Sequence, residues 1–277
     1  MSMLKEKIDT SIALLRKIEP LALELNPTDG IYLAFSGGKD SQCLLELAKM
    51  AGVRFKAWYS VTGIDSPHNV RFIMENYKEV NFIHHQKNFI RLVEQKGLPM
   101  MNSRYCCERL KENLGAGNLM VDGVRAEESA KRAAYAAIMV RSRRKENIIK
   151  GRNRSIEEIT ENQHRCIKGK DRLDVHPILN WTDTDVWQFM SQRKLPYNKT
   201  YDSMGRVGCM YCPYASRAQR EIYIREYPLY YKRILKAIAV FLEKKPLFDT
   251  PEQYIDWWMS GKTMEKYRGG GRLTPPA

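Results

Sequence analysis

With 277 residues, the chain is long enough for one large domain or two small ones, and no stretch approaches the roughly 20 apolar residues that cross a bilayer. Lysine and arginine number 46 against 32 acids, a formal charge of +14. That balance suits a polyanionic partner, nucleic acid or a nucleotide, beside the plainer reading of a solvated basic surface. The N-terminal stretch MSMLKEKIDTSIALLRKIEP mixes acids into amphipathic spacing and has no long apolar core. It is read as a helix of the mature protein rather than a secretion signal, with the cytoplasm as the expected compartment.

The first half then alternates strand and helix signals. IYLAF (31–35) is a short apolar run, and SQCLLELAKMAG has helical spacing that closes on Gly52, a residue suited to a C-cap. RFKAWYS (54–60) is strand-like, HNVRFIMENYKE helical, NFIHH strand-like and NFIRLVEQKG helical. CCERLKENLG predicts a short helix and NLMVDGV (118–124) a strand. This order predicts an α/β fold, a doubly wound and mainly parallel sheet with helices on both faces. Ligands of such sheets bind beyond the carboxyl ends of the strands. The SGGKDS loop (36–41) and the GVRAEES segment (123–129), which each follow a strand, are therefore expected to converge on one cleft.

From Ala130 the pattern changes. Residues 141–172 carry eleven Lys/Arg against five acids, a net charge of +6 without a strong strand pattern, and read as a partly helical basic flap. HPILNWTDTDVWQFMSQRKLPYN (176–198) reads as a strand end, a helix capped by Thr182 or Asp183, and a turn. Past Cys212 the chain is helical and rich in aromatics, ending in YRGGGRLTPPA. The expected organisation is a nucleotide-binding domain over 1–215 and a helical C-terminal extension over 216–277.

The SGGKDS loop is not a Walker A sequence, because its glycines are adjacent and Asp40 separates Lys39 from Ser41. The physics is shared. Backbone N–H groups of Gly37 and Gly38 opening a helix make an anion site, Ser36 and Ser41 donate to phosphate oxygens, and Lys39 adds a point charge. Asp40 would repel phosphate unless it helps to hold Mg2+.

SGGKDS resembles the PP-loop of the ATP-pyrophosphatase (adenine nucleotide α-hydrolase) superfamily. That resemblance implies ATP as ligand and a break between its α- and β-phosphates. VDGVRAEES (121–129), HPILNWTDTDVW (176–187), LPYNKTYD (195–202) and RVGCMYCP (206–213) are similar, in this order, to segments of the PAPS reductase family. By that resemblance, Arg125 and the turn Glu127, Glu128, Ser129 line the nucleotide or sulfate end of the cleft, with Arg125, Lys39 and Asp40 as the catalytic set.

Six cysteines in a chain of this kind favour metal or sulfur chemistry over disulfides. Cys106-Cys107 and Cys209-x-x-Cys212 form two close pairs, which suit zinc or an iron–sulfur cluster. Adjacent cysteines are awkward for one tetrahedral zinc, whereas a cubane offers separate iron corners. The resemblance points the same way, since the iron–sulfur type of sulfonucleotide reductase carries such pairs as ligands of a four-iron cluster. Cys43 reads as a small buried residue, and Cys166, flanked by bases, as either a persulfide carrier or an incidental thiol.

Sulfonucleotide reductases also carry a nucleophilic cysteine near the C-terminus, and no cysteine follows Cys212 here. The remaining combination resembles the ATP-pyrophosphatase subunit of DNA phosphorothioation systems of the Dnd and Ssp types. That resemblance implies DNA as partner through the 141–172 segment, together with a cysteine desulfurase and further phosphorothioation subunits. A sulfonucleotide reductase and a nucleotide-binding regulatory subunit without turnover are the alternatives. His176 is a further candidate for the cleft, whereas Trp187, Trp257 and Trp258 are read as core.

Overall fold

The computed structural model describes residues 3–112, 114–141 and 172–267. Most of the basic segment, with Cys166, lies outside the described residues, as does the end of the C-terminal tail. Among the described residues no helix is long and apolar enough to cross a membrane. The chain divides into two compact units, each gathered from three stretches. One comprises Met1–Ser60, Pro67–Ile83 and Asn113–Val207, the other Val61–Ser66, His84–Glu112 and Gly208–Ala277. Where the sequence reading drew one boundary after residue 215, contacts group the C-terminal helices with residues 84–112.

The first unit is built on a six-stranded sheet in the order β3-β2-β1-β4-β6-β5. Its strands are β1 (Ile31–Phe35), β2 (Phe55–Val61), β3 (Asn81–His84), β4 (Leu119–Val121), β5 (Ile138–Arg141) and β6 (Arg172–Val175). β2, β1, β4 and β6 run parallel, with Ile31 opposite Phe55, Tyr32 opposite Met120 and Leu119 opposite Leu173. β5 closes the edge antiparallel to β6. The order reverses direction between β1 and β4, and a crevice for ligands opens at the carboxyl ends of strands on either side of such a reversal. The loops after β1 and β4 are therefore neighbours, as their sequence positions predict.

Burial explains the pattern. Ile31, Leu33 and Phe35 of β1 are buried, as are Leu44, Leu47 and Ala48 of α2 (Lys39–Ala51) and Leu15, Ile18 and Ala22 of α1 (Met3–Leu25). α1 continues through Pro20, a residue that costs a helix interior about 3 kcal/mol, because Leu21 and Ala22 beyond it are buried. α2 ends as expected on Gly52, which is left-handed with φ 69°. β5 and β6 are the departure. The segment expected to lack strands enters and leaves through them, at Arg141 and Arg172. β6 is buried at all four positions, yet two of these are charged: Arg172 Nε lies 2.6 Å from Asp174 Oδ1. A buried ion pair in a strand breaks the apolar signal that marks a parallel strand.

In the second unit α3 (Phe89–Lys96) packs against the helix Pro228–Lys244, which also meets Pro251–Ser260. Trp258 donates through its indole N–H to Pro99 O at 2.8 Å, and the Tyr254 hydroxyl accepts from Leu98 N at 3.0 Å. Trp257 and Trp258 are core residues, as expected.

Gly30 opens β1 with φ 67°, and a Cβ there would stand 2.4 Å from the Arg54 carbonyl oxygen. Gly30→Ala is expected to destabilise the protein by roughly 1–3 kcal/mol, measured as a lowered midpoint in urea unfolding; an unchanged midpoint would show that the start of β1 relaxes freely.

Candidate functional site

The loop after β1 turns on Gly37, which has φ 77°, and hands over to α2 at Gly38, whose extended backbone takes the N-cap position without a capping side chain. The first N–H groups of α2 thus have no acceptor from their own helix. Hydroxyls accept in place of one. Ser41 Oγ accepts from Ser36 N at 3.2 Å, Ser36 Oγ accepts from Gly38 N at 3.3 Å, and the Tyr201 hydroxyl accepts from Lys39 N at 2.9 Å. Buried amides hold the carbonyl side. Asn69 donates to Ser36 O at 2.9 Å, while Gln42 and Asn198 donate to Gly37 O at 3.1 and 3.2 Å.

Arg125, after β4, reaches this loop. Its side chain is 5% exposed, and its guanidinium contacts Asp40 Oδ1 at 2.6 Å, Glu127 Oε2 at 2.9 Å and Asp183 Oδ1 at 2.9 Å. Burial alone would lower its pKa, but the charges of Asp40 and Asp183 and the Glu127 bond reverse this and hold it above its ordinary value. Lys39 Nζ lies between Asp40 Oδ2 at 3.1 Å and Asp183 Oδ1 at 2.9 Å. Burial pushes the Asp183 carboxyl up, but Lys39, Arg125 and the Trp187 indole outweigh it and hold the group below the usual carboxylate range. Gly123 packs closely under Asp40; a Cβ there would approach Asp40 Cβ to 3.0 Å, tighter than an ordinary contact.

The sequence candidates Ser36, Gly37, Gly38, Lys39, Asp40, Ser41, Arg125 and Glu127 therefore come together. Glu128 and Ser129 serve the turn instead: Glu128 Oε2 accepts from Arg125 N at 3.0 Å, and Ser129 caps the helical turn Ala130–Ala133. Asp40, expected to hold Mg2+, is paired with two cations. The sequence offers Asp183 only as a possible cap. The cap is Thr182, which forms a reciprocal box with Asp185 at the start of the helix Asp183–Gln192, leaving Asp183 for Lys39 and Arg125. Trp187, expected in the core, is half-buried beside Lys39, 6.0 Å from Nζ to ring centroid, and touches Tyr197 and Tyr201. His176 is buried with Nδ1 2.7 Å from Asp122 Oδ1.

The second unit holds both cysteine pairs. Cys106 and Cys107 lie on the helical turn Tyr105–Cys107, which runs into a wider π-turn at Glu108–Glu112. A hydrogen bond from Cys106 lowers the Cys107 pKa to about 6 against the opposing effect of burial, with help from Arg104 and Lys111, and the Cys106 thiol is pushed up in return. Burial raises Cys209 to about 12, and its sulfur lies 3.2 Å from Lys111 Nζ and 3.6 Å from Asp65 Oδ1. Arg220 is buried and donates to the carbonyls of Pro213, Ala215 and Trp258, fixing the chain just after Cys212. The donor set has the right chemistry for zinc or an iron–sulfur cluster, but not the arrangement. Among the described residues no group of three or more His, Cys, Asp or Glu side chains is placed to hold a metal ion. Cys209 is turned to Lys111 and Asp65. Cys43 is buried and its thiol pushed up by burial, a structural residue.

A family model described as the phosphoadenosine phosphosulfate reductase domain matches residues 30–215. An uncharacterized protein of Methanocaldococcus jannaschii is 26% identical over 231 residues, covering 78% of this chain and 43% of that protein. This chain spans about half the length of that relative and of a second uncharacterized protein from the same organism. The adenosine 5'-phosphosulfate reductase of Geobacillus kaustophilus is 26% identical over 199 residues, 66% of this chain and 73% of that enzyme. Among solved structures, the FMN adenylyltransferase of Candida glabrata with FAD and inorganic pyrophosphate gives a TM-score of 0.48 at 14% identity, covering 74% of this chain and 63% of that one.

Asp183 competes with any phosphate for Lys39 and Arg125. Asp183→Asn is expected to bind metal-free inorganic pyrophosphate about three- to tenfold more tightly, the scale of one solvent-screened charge, in isothermal titration calorimetry. Weaker binding by the variant would mean that Asp183 serves the ligand directly.

Proposed function

The chain belongs to the phosphoadenosine phosphosulfate reductase domain family, and from that premise we propose that it is an ATP pyrophosphatase, cleaving ATP to AMP and pyrophosphate to activate a phosphate group for sulfur incorporation. The observation that carries the reading is the convergence of Lys39 and Arg125 with Asp40, Glu127 and Asp183 at the start of α2. Two cations face three carboxylates, so the cluster as it stands is net negative. A triphosphate of three to four negative charges does not bind such a site alone. It binds when a divalent cation offsets the carboxylates, and Mg2+ with ATP supplies both partners at once. Phosphate oxygens would then take Lys39 and Arg125 from the carboxylates, and Asp40 is the residue that would hold the metal, whose charge would offset the triphosphate.

In the proposed reaction an oxygen of the acceptor phosphate attacks the α-phosphorus of ATP. The bond to the β-phosphate bridging oxygen breaks, and pyrophosphate leaves with that electron pair. The acceptor phosphate now carries AMP as a leaving group. A cysteine persulfide formed by the desulfurase then attacks the acceptor phosphorus through its terminal sulfur and expels AMP, and a second thiol attacks the persulfide's cysteine sulfur, leaving as a disulfide and releasing the phosphorothioate. Lys39, Arg125 and the loop N–H groups stabilise the charge that builds on the departing pyrophosphate. We propose DNA as the acceptor, met by the basic residues of 141–172, with a cysteine desulfurase supplying sulfur and the cytoplasm as the site of the reaction; the net charge of +14 supports a polyanionic partner. A sulfonucleotide reductase is the second reading, favoured by the similarity to the Geobacillus adenosine 5'-phosphosulfate reductase.

Protein incubated with ATP, Mg2+, DNA and a desulfurase is expected to release AMP and pyrophosphate, with Lys39→Ala lowering the rate about 100- to 1000-fold and EDTA abolishing it. ADP as the product would refute the reading, and sulfite from adenylyl sulfate would favour the reductase. A four-iron cluster on Cys106, Cys107, Cys209 and Cys212 is a separate proposal, and the reaction above has no step through it. It requires Cys209 to leave Lys111 and Asp65. Anaerobically purified protein is then expected to contain iron and acid-labile sulfide and to absorb visible light, whereas colourless protein containing zinc would exclude the cluster.

A further inference from the structure

The phosphate loop has a second wall that the loop sequence does not contain. Asn198 and Tyr201 lie more than 160 residues along the chain, at the start of the short helix Thr200–Met204, and meet the loop at a carbonyl and at an N–H respectively. Asn198 is 2% exposed. Its amide donates to Gly37 O at 3.2 Å and to Asn69 Oδ1 at 2.8 Å, and Asn69 in turn donates to Ser36 O. The two loop carbonyls are thereby anchored inward. A peptide whose carbonyl points in directs the following N–H outward, so this amide pair orients the donors that an anion meets. Space for the arrangement is tight, since a Cβ on Gly37 would stand 2.5 Å from Asn69 Oδ1.

Tyr201 meets the loop at an N–H group. Its hydroxyl accepts from Lys39 N at 2.9 Å and lies 3.4 Å from where a Cβ on Gly38 would be. Its own O–H donates to no acceptor among the described residues. Burial pushes its pKa well above the ordinary tyrosine value, so the phenol keeps that proton at neutral pH. The ring is fixed by Trp187, with centroids 5.1 Å apart. A neutral hydroxyl, fixed in place at the head of a helix and holding an unspent donor, is suited to a phosphate oxygen.

We infer that Asn198 and Tyr201 complete the phosphate site, Tyr201 as a residue that touches the bound phosphate and Asn198 as a positioning residue that aims the loop N–H groups. This rests on the reading of the loop as a pyrophosphate-binding site. Two isosteric variants test it. Tyr201→Phe removes the hydroxyl and keeps the ring; Asn198→Asp keeps the shape and removes the donor. Binding of inorganic pyrophosphate with Mg2+, and of adenosine, is measured by calorimetry, with thermal unfolding alongside. Loss of a hydrogen bond to a charged ligand corresponds to about a tenfold weakening or more. Tyr201→Phe is expected to weaken pyrophosphate by that factor while adenosine binding and the unfolding temperature stay near wild type. Asn198→Asp is expected to weaken pyrophosphate by at least as much, and Asn198→Gln, which keeps a donor, to recover part of the loss. Unchanged pyrophosphate affinity in Tyr201→Phe overturns the contact, and equal losses for pyrophosphate and adenosine overturn it in favour of a general packing role. Wild-type protein that binds pyrophosphate but never cleaves ATP would count against the proposed activity and leave this inference standing.

Discussion

A guanidinium cannot shed its proton at any accessible pH, so burying Arg125 obliges the fold to surround it. The charge must be matched where it lies, or it would cost several kcal/mol. Three carboxylates from three parts of the chain meet it: Asp40 at the head of α2, Glu127 in the turn after β4, and Asp183 at the head of a later helix. That single requirement ties the loops after β1 and β4 to the 183–192 helix and fixes the crevice at the point where the sheet reverses direction.

The same carboxylates give the site its logic. They occupy the cations that a phosphate would need, and leave the cluster with more negative charge than positive. On the reading proposed above, affinity would be withheld from a bare anion and granted to an anion that arrives with a metal. The hydroxyls on the loop N–H groups act similarly at lower strength, since Ser36, Ser41 and Tyr201 satisfy donors that would otherwise be left without partners. The N–H groups of Ser36, Gly38 and Lys39 are each met by a hydroxyl, a partner of a kind that a phosphate oxygen can replace.

Much of this was readable from the sequence, because local chemistry carried it. The apolar run of β1, the paired glycines and the Gly52 cap each have a short-range cause. The positions of SGGKDS and GVRAEES after strands were enough to bring them together. What stayed hidden was long-range. β6 was marked only by its end at HPILN, because Arg172 and Asp174 neutralise each other inside the sheet and its sequence lacks an apolar run. Asp183 was masked by competition for one cap, which Thr182 wins through its exchange with Asp185. Tyr201 and Asn198 reach the loop across more than 160 residues, a proximity that no periodicity records. In the second unit the spacing of the four cysteines gave their pairing, but not that Lys111 and Asp65 would hold Cys209.

The second unit is assembled from residues 61–66, 84–112 and 208–277, with about a hundred residues of the first unit intervening between its two cysteine pairs. During synthesis Cys106 and Cys107 leave the ribosome well before Cys209 exists, and α3 waits for the helix it packs against. Closing so long a loop is entropically slow. Cys106 and Cys107 therefore spend the interval without the C-terminal helices that complete their unit. Handling of these cysteines, whether by a maturation factor or by adventitious oxidation, is then a matter of timing during chain growth as much as of final structure.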